Sequence, residues 1–519
     1  MDPTPITNPA TGELLGHSPR HSAADVKTAI AKSRAAQPAW AALPLEGRLR
    51  PVGRVRDYLL AHADVLAAEI SADGGKVRVD AMATEVVPAV LAVSYYLKKA
   101  PEFLRPRPCG PGSLLLPHKR SWIVRQPYGV MGIISPWNYP FAIPFSEIIK
   151  ALLAGNTAVV KTASETQLVG LRLEACFRAG GFPEDVFRYV NLPGREAGEA
   201  MLEGGVDKLL FTGSTAVGKS LMAKAAERLT PLVLELGGKD PMIVCEDADL
   251  ERAAGGAVWA GLSNSGQSCG AVERVYVLER VYEAFLEILK KKIEALRVGL
   301  DRDFEVDMGC MTTDHQFRMV EEHVADALAK GAVVFAKSAV PDDPGLRRFL
   351  PAMVLTNVHH GMRIMREETF GPVLGVMKVR DEDEAVALAN DSSFGLTASV
   401  WSRNRRRAER LAARLRAGAV MINDHMMSHG LPETPWGGFK ESGIGRTHGR
   451  IGFDEMTQPQ VIVDDRLPFV KKNMWWPPYD AAVYRGLRGF IEALHGRGLV
   501  RRWKGLKAGL RIVPRFFKK

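Results

Sequence analysis

The sequence predicts an α/β protein with two parallel-sheet domains in tandem, a small β arm and a separate C-terminal segment. Three observations lead there. At 519 residues the chain is longer than one hydrophobic core usually serves. From 141 to 262, amphipathic helix-length segments alternate with short apolar β-rich runs, and the alternation resumes after 270. Helices between buried strands make βαβ units and a parallel sheet. Finally, a Pro/Gly-rich break and a late change in charge mark off the remaining pieces.

Taken in order, residues 22–107 read as helical, with apolar residues at three-to-four spacing through AADVKTAIAKSRAAQPAW and LEGRLRPVGRVRDYLLAHADVLAAEI. RPRPCGPG at 105–112 ends that block. Two short apolar runs follow, SWIVRQ and GVMGIIS, and then the loop PWNYP. In the alternating region the strands are TAVVK, VFRYVN, DKLLFTG, PLVLEL and PMIVC, then RVYVLE, GAVVFA, VLGVMKV, TASVWS and AVMIN. After MWWPPY, apolar residues from Val483 to Leu510 recur every three to five positions with Arg and Lys between them. This is a basic amphipathic helix, or two broken near Gly496 or Gly498.

Hydrophobic residues at 46% and charged residues at 25% exclude a largely disordered chain. No apolar run approaches the roughly 18 to 20 residues that span a bilayer. The start lacks the basic and apolar regions of a secretory signal, so a cytoplasmic protein is expected. Five cysteines without CxxC spacing suggest free thiols, with neither disulfides nor a metal site. The net charge of +10 is unevenly spread: residues 466–519 hold 14 Lys and Arg against 2 Asp and Glu, leaving 55 against 57 elsewhere. Any anionic partner therefore belongs to the tail.

Gly213-Ser-Thr-Ala-Val-Gly218-Lys219-Ser220 fits the GxxxxGK[ST] phosphate-binding pattern, between a strand and a helix. A glycine turn at a helix N-terminus suits any phosphate, including a dinucleotide pyrophosphate, so it supports phosphate binding better than ATP hydrolysis. Glu235 lies in LELGGK, and Cys269 follows 34 residues later in NSGQSC, a loop of small residues that substrate can reach. Cys269 reads either as a nucleophile or as small-residue packing, whereas Cys245, inside MIVC, reads as core. Asn138, between prolines, reads alone as a turn residue whose amide can also donate to an oxyanion. Lys161 ends the strand TAVVK, where open α/β sheets bind ligands, although a lone Lys there is more often solvated. Glu367 to Pro372 reads alone as a loop.

Together these residues resemble the aldehyde dehydrogenase superfamily over roughly residues 5–465. The resemblance rests on NPATGE, PWNYP, FTGSTAVGK, LELGGKDP, NSGQSCGA, EETFGPV and PWGGFKESGIGR, in the family's order and spacing. It implies oxidation of a small-molecule aldehyde to the acid with NAD or NADP, on two Rossmann-like domains. The cofactor domain would comprise 1–107 and 127–237, and the catalytic domain 238–440. An oligomerisation arm would comprise 108–126 and 441–465, giving a homodimer or homotetramer, with 466–519 as tail. Cys269 would be the nucleophile, Asn138 and the Cys269 N–H the oxyanion donors, and Glu235 the base that activates water. Lys161 would hold the adenosine ribose, and Trp137 would lie near the dinucleotide. Gly213, Ser214 and Gly218 would lie at the pyrophosphate, Glu368 at the nicotinamide ribose and Phe370 against the nicotinamide.

Two departures matter. NAD-preferring members commonly carry an acid where this chain has Ser164, and Ser tolerates a 2′-phosphate. Many members also carry an acid where this chain has Thr447, which leaves Glu235 more alone. The presence of Glu235 favours hydrolytic release over a CoA-acylating enzyme, and the intact Cys269, Glu235 and Asn138 argue against a silent membrane-associated scaffold. The tail, beyond the usual end of a soluble member, has three readings: packing on the protein, lying in an anionic membrane surface, or binding RNA, for which nothing else speaks. The membrane reading makes long-chain or lipid-derived aldehydes the expected substrates.

Overall fold

The computed structural model describes residues 2–113, 115–467 and 469–517. It divides into two compact units, one of residues 1–103 and 127–458, the other of 104–126 and 459–519. No helix among the described residues is long and apolar enough to cross a membrane.

The larger unit holds two main sheets. One runs in spatial order Gly443–Ile444, Leu232–Glu235, Lys208–Thr212, Val130–Ile134, Thr157–Lys161, Phe187–Val190. All neighbours are parallel except the short Gly443–Ile444, which is antiparallel to Leu232–Glu235. Val130–Ile134 and Thr157–Lys161 are buried at every position, as befits strands covered on both faces. The chain starts at Val130–Ile134, winds outward through Thr157–Lys161 and Phe187–Val190, and returns to the other side as Lys208–Thr212. That reversal leaves a crevice beyond the carboxyl ends of Val130–Ile134 and Lys208–Thr212, where open α/β sheets take ligands.

The second sheet runs Val333–Lys337, Met353–Thr356, Val373–Val379, Val272–Leu278, Asp240–Val244, Thr397–Trp401, Ala419–Ile422. Only the Val333–Lys337 edge is antiparallel. Apolar clusters fill both faces, Cys245 among them at 0% exposure. Each predicted strand from TAVVK to AVMIN forms. The N-terminal hairpin Thr4–Thr7 with Leu14–Ser18 and the strand Met353–Thr356 had no distinct signal.

In the smaller unit, Arg107–Cys109, Lys119–Pro127 and Thr457–Asp465 form a three-stranded sheet. The arm boundary expected at 441 is narrowed, because Gly443 and Ile444 pair with Leu234 and Glu235 in the first sheet. The tail is two helices, Ala481–His495 and Leu499–Leu510, broken at Gly496–Gly498. They pack through glycines: a Cβ on Gly489 would lie 2.5 Å from the Gly505 carbonyl oxygen, and one on Gly509 2.6 Å from the Phe490 ring. With small residues between the helices, Tyr484, Ile491, Leu499, Val500, Trp503 and Leu510 stay exposed.

Candidate active site

At the crevice, Ser214 caps the helix Thr215–Ala225, its hydroxyl accepting from the Val217 N–H. The helix approaches so closely that a Cβ on Gly218 would sit 2.6 Å from the Leu236 side chain. Free backbone N–H groups and the positive helix end therefore face the crevice. Lys219 turns away, paired with the exposed Glu441 at 2.9 Å. This removes the lysine that an ATP-hydrolysing loop would direct at its phosphates. Lys161 is buried rather than solvated, contrary to its reading as a lone strand end. Burial pushes its ammonium down, with Glu165 acting the other way. Lys161, Ser164, Arg195, Gly213 and Ser214 line one stretch of a long groove of about 830 Å³.

The groove continues into a cleft of about 360 Å³ lined by Trp137, Asn138, Gly213, Glu235, Cys269, Glu368 and Phe370. The Trp137 and Phe370 rings meet edge to face at 5.5 Å. Glu368 accepts from the Gly238 N–H at 3.0 Å, and burial, then Glu273, pushes its carboxyl up to about 8. All eleven candidate residues but Gly218 thus line this one connected depression, Gly218 setting its helix close to the sheet. A glycine turn at a helix end, the buried carboxyl of Glu368 and a facing aromatic pair fit a dinucleotide.

Cys269 follows an unusual loop. Asn264, Ser265 and Gly266 are successively left-handed, with φ of 53°, 55° and 72°. Such strain persists only where surroundings enforce it. The Asn264 amide donates to the carbonyls of Asn138 (3.0 Å) and Gln267 (3.1 Å), and the Asn138 amide also donates to Gln267 (3.1 Å). Asn138 is no simple turn residue: it is 3% exposed and its amide is aimed at the Cys269 loop. Burial pushes the Cys269 thiol up, helped by Glu368, Asp240 and Glu235.

Both carboxylate oxygens of Glu235 are buried without a partner at hydrogen-bond geometry. Burial pushes this carboxyl well up, Glu147 adds to the effect, and Arg446, Lys150 and a weak pull from the Trp436 indole oppose it. Glu147 and Lys150 form a buried pair at 2.9 Å on the helix Ala142–Leu153.

Cys269 also opens onto a second cavity, of about 130 Å³, on the other side. Its walls are Ala83, Thr84, Val87, Leu91, Trp259, Met426, Met427, Trp436 and their neighbours, and none of the described residues lining it is Lys, Arg, Asp or Glu. His429, the single imidazole there, is held neutral, burial pushing it down to about 4.

Sequence reasoning missed the buried supports. Glu273 accepts from the N–H groups of Thr369 and Phe370, and pairs with Lys239, fixing the loop that carries Glu368. The available signal was a charge inside the apolar strand VERVYVL.

A crevice at the switch point of a parallel sheet, with a glycine turn at a helix N-terminus and a cysteine and a buried carboxylate at its inner end, is the architecture of the nicotinamide-dependent oxidoreductases. The aldehyde dehydrogenase family model matches residues 2–462, and the chain belongs to that family as an NAD(P)-dependent aldehyde dehydrogenase. Among curated proteins it is 38% identical over 491 residues to 4,4'-diapolycopene aldehyde oxidase of Methylomonas, covering 94% of this chain and 91% of that one. A match of that extent necessarily runs past residue 465 into the tail. Among solved structures, succinate-semialdehyde dehydrogenase from Burkholderia pseudomallei is 34% identical with a TM-score of 0.85, covering 89% of this chain and 95% of that one. A point mutant of betaine aldehyde dehydrogenase from Staphylococcus aureus, in complex with NAD+, is 31% identical with a TM-score of 0.86, covering 92% and 96%.

Proposed function

We propose that this enzyme oxidises uncharged, long-chain or lipid-derived aldehydes to their acids through a thioester on Cys269. The carrying observation is the uncharged pocket behind that sulfur. A semialdehyde carboxylate would be buried there without a cation, at a cost an alkyl chain does not incur. The rim residues Val87, Leu91, Trp259 and Met427 are 39–48% exposed, an apolar lip that a chain longer than the pocket would cover.

In this reading the Cys269 sulfur, as thiolate, bonds to the aldehyde carbon, and the oxygen takes the negative charge. The Asn138 amide and the Cys269 N–H hold that oxygen. The dinucleotide, when bound, supplies the hydride acceptor, with Glu368 and Phe370 at its nicotinamide end and Gly213, Ser214, Trp137 and Lys161 along the rest. Oxidation leaves the acyl group on sulfur. Glu235 then takes a proton from the water that attacks the thioester, releasing the acid and the thiol. Ser164, in a groove whose lining balances Lys161 and Arg195 with Glu165 and Glu199, sets no acid of its own against a 2′-phosphate, so NADP is accepted as well as NAD.

The arm strands are the expected contact of a homodimer or homotetramer. The tail helices lie on an anionic membrane surface, supported by exposed Leu499, Val500, Trp503 and Leu510 among Arg501, Arg502, Lys504 and Lys507. Anionic vesicles should therefore retain the full chain better than a chain ending at Asp465; equal retention refutes the membrane placement.

The central test is cofactor reduction with aldehydes of graded chain length and with succinate semialdehyde, each with NAD and NADP. kcat/KM is expected to climb with alkyl length and to be poor for the semialdehyde. A preference for the semialdehyde overturns the substrate class; no reduction with any aldehyde overturns the reaction.

A further inference from the structure

Residues 76–86 read from sequence only as part of a helical block, yet they carry three charged side chains, Lys76, Asp80 and Glu85, that turn inward. We propose that these residues act as a positioning clamp for the two halves of the oxyanion hole, an inference that rests on the roles given above to Cys269 and Asn138.

Lys76 and Glu85 hold the Asn138 half. The Lys76 ammonium donates to the Asn138 carbonyl at 2.6 Å and to Glu85 Oε1 at 2.6 Å. The two side chains are 1% and 0% exposed. Glu85 Oε2 accepts from the N–H of Phe141 at 2.7 Å and of Ala142 at 3.3 Å. Those are orphan donors at the start of the helix Ala142–Leu153, so a distant carboxylate caps it and fixes where the PWNYP loop enters. Asp80 holds the Cys269 half. It accepts from the Asn264 N–H at 2.7 Å and the Ser263 hydroxyl at 2.9 Å, at the entry to the left-handed turn before Cys269.

The backbone shows how one segment reaches both. Met82–Val86 is a single π-helical turn. Turns of this kind recur at functional sites. Ala83 and Thr84 on this turn line the aldehyde pocket while Glu85 points into the protein. One turn therefore walls the substrate and anchors the donor. Stability alone does not explain the ion pair: apolar side chains of similar volume often match or exceed a buried pair in stability. What they cannot do is place a donor on the Asn138 carbonyl and an acceptor on the Phe141 N–H. An oxyanion donor displaced by about 1 Å loses on the order of 100-fold in rate, so that placement has kinetic value.

The test is a double-mutant cycle on the full-length enzyme. Lys76→Met with Glu85→Gln removes both charges together and leaves no unpaired buried ion. Its kcat is expected to fall about 10- to 100-fold, with the KM for the dinucleotide unchanged. Added to Asn138→Ala, the paired replacement should slow the enzyme no further, because its effect passes through the Asn138 amide. A merely structural pair would multiply the two losses, and that result, or a wild-type kcat for the paired variant, overturns the clamp. Lys76→Met alone, which removes the donor from the Asn138 carbonyl, run through the same cycle, decides the matter if the paired variant does not fold. A wild-type kcat for Asn138→Ala alone would instead overturn the oxyanion role on which the clamp rests.

Discussion

Cys269 stands between two regions built on opposite rules. The crevice proposed for the dinucleotide is made of backbone and of a few constrained positions: Gly213, where a Cβ would lie 2.6 Å from the Phe211 ring, Gly218 where a helix meets a strand, and Ser214 at a helix cap. The pocket proposed for the aldehyde is made of interchangeable bulk, with Val87 and Leu91 from one helix, Trp259 from another, and Met426 and Met427 at the start of the short helix Met427–Gly430. A pocket of bulk side chains can change its substrate by ordinary substitutions, while a crevice that offers main-chain donors at a helix N-terminus would keep its ligand through them. The relatives named for diapolycopene aldehyde and for succinate semialdehyde are similar to this chain over about nine-tenths of its length and differ in the substrate they are named for.

The largest expected effect lies at the junction itself. Cys269→Ser should lower kcat by about 10⁴-fold or more, since an alcohol forms neither the thiolate nor the thioester. Cofactor reduction with a long-chain aldehyde measures it, and a modest loss would mean that crevice and pocket do not meet at this sulfur. Next comes Glu235→Gln. Steady-state turnover should drop about 10²- to 10⁴-fold, while a rapid burst of reduced cofactor, one per active site, survives because acylation does not need the activated water. Loss of the burst together with turnover would assign Glu235 to the first step.

The same contrast explains how much was readable beforehand. The strands from TAVVK to AVMIN were readable because strands covered on both faces are continuously apolar. That Cys269, Glu235, Asn138 and the crevice residues gather in one depression was readable because motifs in a fixed order and spacing carry them. The pocket was not, since a Leu or Met facing a cavity has the same local pattern as one facing a core. Lys76, Asp80, Glu85 and Glu273 were hidden for a related reason: their partners are backbone atoms up to 184 positions away, which no local period records. Lys219 misled in the other direction, completing a phosphate-loop pattern whose lysine in fact faces Glu441.

Pocket bulk is tested by putting a charge on its lip. Leu91, at 48% exposure, tolerates a longer side chain without disturbing the core. Leu91→Arg should lower kcat/KM for a long-chain aldehyde about tenfold and raise it for succinate semialdehyde, whose carboxylate gains a partner. The ratio of the two constants is the measurement; an unmoved ratio would place the selecting residues elsewhere.

The smallest expected effect separates acylation from hydrolysis by pH. The Glu235 carboxyl is held up by burial and then by Glu147, against Arg446 and Lys150. A raised acid stays protonated to higher pH and must lose that proton to act as base, so hydrolysis should quicken as pH rises. Tyr96 packs against Lys150, and burial with Lys150 holds His429 and His448 neutral, so no further charge from those elements opposes the change. Glu147→Gln removes a negative neighbour and leaves the Lys150 charge unbalanced, both favouring the carboxylate. The rising limb of kcat should therefore move to lower pH, with hydrolysis about a few-fold faster on the acidic side. The burst should move less and in the opposite direction, because Glu147 reaches the Cys269 thiol only through Glu235, whose added negative charge raises that thiol beside burial, Glu368 and Asp240. If both phases shift together, one group governs the two steps; if neither shifts, Glu147 does not set the base.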